Sequence, residues 1–108
     1  MIENKTSFEL TSPGYPNSYP ANKDCEMVVR FHDNATVKLT FLDFELFEDW
    51  DYLYVYDGAN IQSQLIETLS GFSLPAAIYS TGNQMYLRLK TTFNHHRGFK
   101  IEIGNIGK

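Results

Sequence analysis

The densest run of side chains able to do chemistry lies between residues 43 and 57. Asp43, Glu45, Glu48, Asp49, Asp51 and Asp57 place six of the chain's 13 acids within 15 residues. Like charges this crowded repel, so the cluster needs either solvent or a cation. Ca²⁺ takes about six to eight oxygen ligands from carboxylates, carbonyls and water, and loops at strand ends suit it. A solvated acidic loop is the plain alternative. Trp50, Tyr52, Tyr54 and Tyr56 are interleaved with the acids, and in a strand these even-numbered residues share one face. Such rings either pack between or along sheets, or offer a stacking platform for sugar rings or a protein hot spot. His95-His96-Arg97 is a third group. Adjacent strand residues point to opposite faces, so two neighbouring histidines seldom share a metal. A solvated turn, or a basic contact patch for an acidic partner, fits them better.

Nucleophilic catalysis has little support. The chain contains no G-x-S-x-G elbow, no H-E-x-x-H helix and no phosphate-binding glycine loop. Cys25 could attack only with a base beside it, for which His32, His95 and His96 are the candidates; a cysteine at the start of a strand pattern is more often structural. Glycosidases need two carboxylates roughly 5–10 Å apart across a cleft, a pair that any acidic loop could supply by chance. The expectation is therefore a binding module and not an enzyme.

The elements that position these residues read as strands. Met27, Val29 and Phe31 alternate with Glu26, Val28 and Arg30, and Val37, Leu39 and Phe41 alternate with Thr36, Lys38 and Thr40. Phe44 and Leu46 then carry the apolar side, a one-residue slip of phase that predicts a β-bulge or strand end near Leu42-Asp43. Leu53 and Val55 alternate with the tyrosines up to the Asp57-Gly58 turn. A short run from Leu65 to Leu69 ends at Ser70-Gly71. Met85, Leu87 and Leu89, and then Phe99, Ile101 and Ile103, complete the pattern. Ser12 to Pro20 holds three prolines, which rule out a helix or a central strand there. No window reads as a helix. Short strands of this kind form an antiparallel β-sandwich or barrel, each sheet having one core face and one wet face.

Composition bounds the partners. The 108 residues fit one domain spanning 1–108, and 43% hydrophobic against 20% charged content is that of a globular chain. A net charge of −4 leaves no basic excess to neutralise phosphates, which argues against nucleic acid. No apolar run approaches the roughly 20 residues of a membrane span, and Met1 to Lys5 has no apolar signal core. Cys25 is the lone cysteine, so no disulfide can form within the chain. Asn4-Lys5-Thr6 and Asn34-Ala35-Thr36 are glycosylation sequons, which put Asn4 and Asn34 forward as acceptors in a secreted glycoprotein.

Taken in order, several short motifs resemble those of a CUB domain along nearly the whole chain: Leu10-Thr11-Ser12-Pro13-Gly14-Tyr15-Pro16, then Tyr19-Pro20, then Cys25 at family spacing. Trp50-Asp51-Tyr52-Leu53-Tyr54-Val55-Tyr56-Asp57-Gly58, Leu74-Pro75, Ser80-Thr81-Gly82-Asn83-Gln84-Met85 and Arg97-Gly98-Phe99 follow. The resemblance implies an antiparallel jelly-roll sandwich acting as an extracellular protein-interaction module, cut from a larger secreted or cell-surface mosaic protein. It implies a disulfide partner for Cys25 just before Met1, and it places Glu48 and Ser70 near the family's second disulfide. It also makes Ca²⁺ the candidate cofactor, with Glu45 and Asp51 as ligands, Tyr15 as support, and Asp49 or Asn94 standing in for a third Asp that this sequence lacks. A protein is the partner expected on that edge; the alternative is carbohydrate on Trp50, Tyr52, Tyr54 and Tyr56. A purely structural spacer or assembly unit is the third reading.

Overall fold

A computed structural model describes residues 7–32, 35–92 and 96–106. Asn4, Asn34, Asn94 and His95 lie outside the described residues. The alternating runs become strands: β1 (Ser7–Thr11), β2 (Asp24–Arg30), β3 (Thr36–Glu45), β4 (Tyr52–Asp57), β5 (Gln64–Leu69), β6 (Ile78–Tyr79), β7 (Gln84–Lys90) and β8 (Gly98–Ile106). They form two antiparallel four-stranded sheets, ordered β1-β8-β3-β6 and β2-β7-β4-β5. Among these strands only β4 and β5 are consecutive neighbours in one sheet; every other step crosses to the opposite sheet, as in a jelly-roll sandwich. No described segment is a helix, so none is a helix long and apolar enough to cross a membrane.

The inward residues are those that the alternation selects. Val37, Leu39 and Phe41 of β3, Leu53 and Val55 of β4, Met85, Leu87 and Leu89 of β7 and Phe99, Ile101 and Ile103 of β8 are all buried. Phe41 and Phe44 meet edge-to-face with ring centroids 5.9 Å apart, an arrangement the ring quadrupole favours. The β3–β8 ladder shifts register between Phe41 and Asp43, where the sequence slips phase. Phe44 returns to the core after the bulge, and Asp43 and Glu45 come out together on the opposite face. Two strands escaped the sequence reading. β1 is an edge strand with Leu10 alone packed on the core, and β6 has two residues, so neither carries a periodic signal.

The proline-rich segment is tied down at both ends. Ser12 N–H donates to the Phe99 carbonyl (3.0 Å), Phe99 N–H donates back to Ser12 Oγ (3.0 Å), and Ser12 Oγ–H reaches the Arg97 carbonyl (3.3 Å). This close approach exists because residue 98 is glycine. Its φ is +92°, and an added Cβ would lie 1.8 Å from Ser12 Oγ. Gly98→Ala is therefore expected to cost about 3 kcal/mol or more, from backbone strain plus broken buried hydrogen bonds. Urea unfolding checks this; an unchanged midpoint would show that the seam is dispensable.

Candidate functional site

The end of the sandwich where β3 leaves and β4 begins gathers most of the singled-out residues. Its centre is Asp51, a fully buried acid. A buried carboxyl group is tolerated only when its oxygens find donors. Tyr19 OH donates to Oδ2 at 2.5 Å, and the Thr92 N–H donates to Oδ1 at 2.6 Å. Tyr19 is itself fully buried, and its hydroxyl also accepts the Phe47 N–H at 3.1 Å. Burial, with the Asp51 hydrogen bond second, raises the Tyr19 phenol well above its ordinary value. Thr91 holds the neighbouring backbone, with Oγ1 accepting the Lys23 N–H (2.8 Å) and donating to the Pro20 carbonyl (2.7 Å).

Outside this buried knot the β3 acids meet Arg97 and His96. Arg97 Nε and Nη2 donate to the two oxygens of Asp43, each at 2.6 Å, and Nη1 donates to Glu45 Oε1. His96 Nδ1 lies 2.8 Å from Glu45 Oε2. Tyr15 OH donates to Asp43 Oδ2 at 2.5 Å, so this tyrosine supports Asp43 and stands apart from Glu45 and Asp51 in hydrogen bonding. The Arg97 hydrogen bonds lead in lowering the Asp43 carboxyl to about 2, with Tyr15 helping and partial burial opposing. The Asp43 bond in turn leads in raising the Tyr15 phenol.

The 47–51 turn is pinned from the far side by Ser70, which stands where the resemblance implied a cysteine. Its hydroxyl accepts the Asp49 N–H (3.0 Å) and donates to the Asp51 carbonyl (2.8 Å), with the Phe47 carbonyl at 3.3 Å. Asp49 turns the chain with a φ of 68°, a left-handed conformation that Asp accepts more readily than most residues. Trp50 sits at the tip of this turn and is 57% exposed, while Phe72 and Leu74 of the next loop are 60% and 58% exposed. The His96 ring packs between these elements, 5.5 Å from the Phe47 ring and 5.1 Å from Phe72. The expected solvated histidine turn is thus, at His96, a packed contact with a carboxylate partner.

The aromatic group divides. Tyr52, Tyr54 and Tyr56 lie on β4, facing away from Leu53 and Val55, whereas Trp50 belongs to the preceding turn. The Tyr52 and Tyr54 rings are 5.9 Å apart, and Tyr56 leans on Tyr86 at 5.3 Å. Arg88, opposite Tyr54 in the ladder, pairs bidentately with Asp24 at 2.8 and 2.6 Å. Cys25 is a half-buried free thiol beside an apolar cavity of about 130 Å³, lined by Leu10, Met27, Leu53, Leu87 and Phe99 among others.

With this arrangement known, the comparison with known proteins is direct. The pattern that defines the CUB domain matches residues 2–103. The chain belongs to the CUB domain family. Cubilin of Canis lupus familiaris is 36% identical over 103 residues and cubilin of Sus scrofa 39% over 100, covering 91% and 87% of this chain. The chain spans about 3% of the length of either relative. Among solved structures, the full extracellular region of zebrafish Gpr126/Adgrg6 matches with a TM-score of 0.79 and 29% identity, over 98% of this chain and 14% of that one. The MASP-1 CUB2 domain bound to Ca²⁺ matches with a TM-score of 0.80 and 22% identity over 90% of both chains, a likeness of fold. CUB domains are generally protein-interaction modules. The extracellular setting that the resemblance implied agrees with these relatives.

The Ca²⁺ in that neighbour poses a question of fit for this CUB domain. Both oxygens of Asp51 and both of Glu45 already engage donors of the chain, and Glu45 shares Arg97 with Asp43. Among the described residues no group of three or more His, Cys, Asp or Glu is arranged to hold a metal. Among the described residues, the Arg97, His96 and Tyr19 hydrogen bonds compete with a cation for the Glu45 and Asp51 oxygens.

Two outcomes follow from these contacts. Tyr19→Phe removes one hydroxyl and leaves a buried Asp51 oxygen and the Phe47 N–H without it, an expected loss of about 2–3 kcal/mol in denaturant unfolding. A loss below about 0.5 kcal/mol would mean that water replaces the phenol. The second concerns acid. The Asp43 carboxyl is depressed from 3.8 to about 2 in the folded state, so its stabilisation is complete above its unfolded value and is lost as pH falls through about 2. The gap in stability between wild type and Asp43→Asn should close between about pH 4 and pH 2. A gap constant over that window would show that the carboxylate charge is not what Arg97 reads.

Proposed function

We propose that this chain is a non-catalytic, extracellular protein-interaction module, one domain of a longer mosaic protein, and that it docks its partner through the Trp50–Phe72 end of the sandwich. The observation that carries the reading is the company kept by Trp50, Phe72 and Leu74. All three are more than half exposed, and Ser70 and His96 tie the loops of Trp50 and Phe72 to the charged Asp43–Glu45–Arg97 group. Exposed aromatic anchors bordered by polar groups are what protein interfaces are built from, with Trp and Arg enriched among their hot spots. Membership of the CUB family and the small share of cubilin that the chain spans support the same reading.

Catalysis has no part in it. Cys25 lies against apolar side chains and His96 is committed to Glu45 and two rings, so this thiol and this imidazole serve packing and hydrogen bonding. Carbohydrate is the second reading, favoured by the tilted Tyr52 and Tyr54 rings on the outer face of β4. It predicts sugar binding that is lost in Tyr54→Ala and kept in Phe72→Ala.

The test is a binding screen of the folded domain against arrayed extracellular proteins and, in parallel, against a glycan array. For a protein hit, Trp50→Ala and Phe72→Ala are each expected to weaken binding by roughly tenfold or more, equivalent to about 1.4 kcal/mol or more, with Tyr54→Ala near wild type. Undiminished affinity in both aromatic variants would remove this end of the sandwich as the docking site.

A further inference from the structure

We infer that Arg97 is the built-in counter-cation of this domain, so that its acidic edge is organised by a guanidinium and works without Ca²⁺. The inference deepens the interaction reading above and rests on it for the meaning of the edge. Its ground is the disagreement between the donor set and the metal. Three of the carboxyl groups at this end, those of Asp43, Glu45 and Asp51, have six oxygens, and each accepts or contacts at least one donor of the chain: Arg97 and Tyr15 at Asp43, Arg97 and His96 at Glu45, and Tyr19 and the Thr92 N–H at Asp51. Asp51 is fully buried and turned into that network. A divalent cation would have to compete with these donors for the oxygen lone pairs and would sit beside the Arg97 guanidinium charge.

Three features fit Arg97 to the role. Its planar fork reaches two carboxylates at once through Nε, Nη1 and Nη2, a geometry that a lysine ammonium cannot reproduce. The acids it bridges are two apart on β3, and the bulge between Phe41 and Asp43 delivers both to the same face. Its backbone is held in place, because Ser12 Oγ–H bonds its carbonyl and the left-handed Gly98 follows it. Arg97 thus acts as a positioning residue, fixing Asp43 and Glu45 beside His96 and the exposed aromatic side chains.

The test uses the folded domain and Ca²⁺ alone. Thermal unfolding of the wild type in millimolar Ca²⁺ and in chelator should give midpoints that agree within about 1 °C, whereas an ion at a hundredfold its dissociation constant would raise the midpoint by roughly 10 °C. Arg97→Gln should unfold several degrees below wild type and below Arg88→Gln, and it should gain stability on adding Ca²⁺ as Arg88→Gln does not. Arg97→Lys should recover only part of the loss. If Arg97→Gln fails to fold, the wild-type and Arg97→Lys measurements still decide. A large Ca²⁺ shift in the wild type, abolished by Glu45→Gln, would overturn the inference while leaving the docking site standing. An Arg97→Gln variant that melts with wild type, or that ignores Ca²⁺, would reduce Arg97 to an ordinary surface ion pair and overturn it too. Failure of the docking reading would appear elsewhere, as partner binding indifferent to Trp50 and Phe72.

Discussion

A fully buried carboxyl group is a demand before it is a contribution, and the demand of Asp51 shapes one whole end of this sandwich. Its oxygens need donors that water cannot supply. They obtain them from the Tyr19 hydroxyl and the Thr92 backbone, groups 32 and 41 residues away in sequence. Meeting that need brings the proline-rich segment against the 47–51 turn, and Thr91 then ties Pro20 and Lys23 to the strand end. Tyr19 serves two masters, since the hydroxyl that donates to Asp51 also accepts the Phe47 N–H and so shapes the turn that carries Trp50. The aromatic tip thus rests on an acid whose two oxygens are both satisfied.

Charge is handled differently a few ångströms farther out. Asp43 and Glu45 would repel each other on the face of β3. Arg97 resolves this with one guanidinium across two carboxylates, and His96 closes the remaining Glu45 oxygen. The pairs are partly exposed, so each is worth modest energy on its own. Their sharing of one fixed side chain is what gives the group a single geometry, as a network costs less ordering entropy per contact than separate pairs.

Ser70 shows how a small domain can do without a cross-link. Losing a disulfide typically costs about 2–5 kcal/mol. Here one half-buried hydroxyl bridges Asp49 N–H and the Asp51 carbonyl, and net gains of about 1 kcal/mol per hydrogen bond offset part of that. The Leu46 N–H, which donates to the Gly71 carbonyl at 2.9 Å, also joins the two segments. The rest of the holding force is the aromatic and aliphatic core between the sheets.

The sequence by itself determined the sandwich. Period-two alternation in β2, β3, β4, β7 and β8 assigns each side chain to a face, and the phase slip at Leu42-Asp43 locates the bulge, because both are local properties of a pleated chain. The family was legible for the same reason, as its motifs are short and ordered along the chain. Tertiary structure alone decided what the acids do. Asp43, Glu45 and Asp51 sit in one dense run, yet their partners Arg97, His96, Thr92, Tyr15 and Tyr19 come from segments 28 to 54 residues away. Nothing in the run itself distinguishes a carboxylate waiting for a metal from one already bonded to an arginine. That difference depends on which donors the fold brings within hydrogen-bond reach, a property of distance in space that spacing along the chain does not encode.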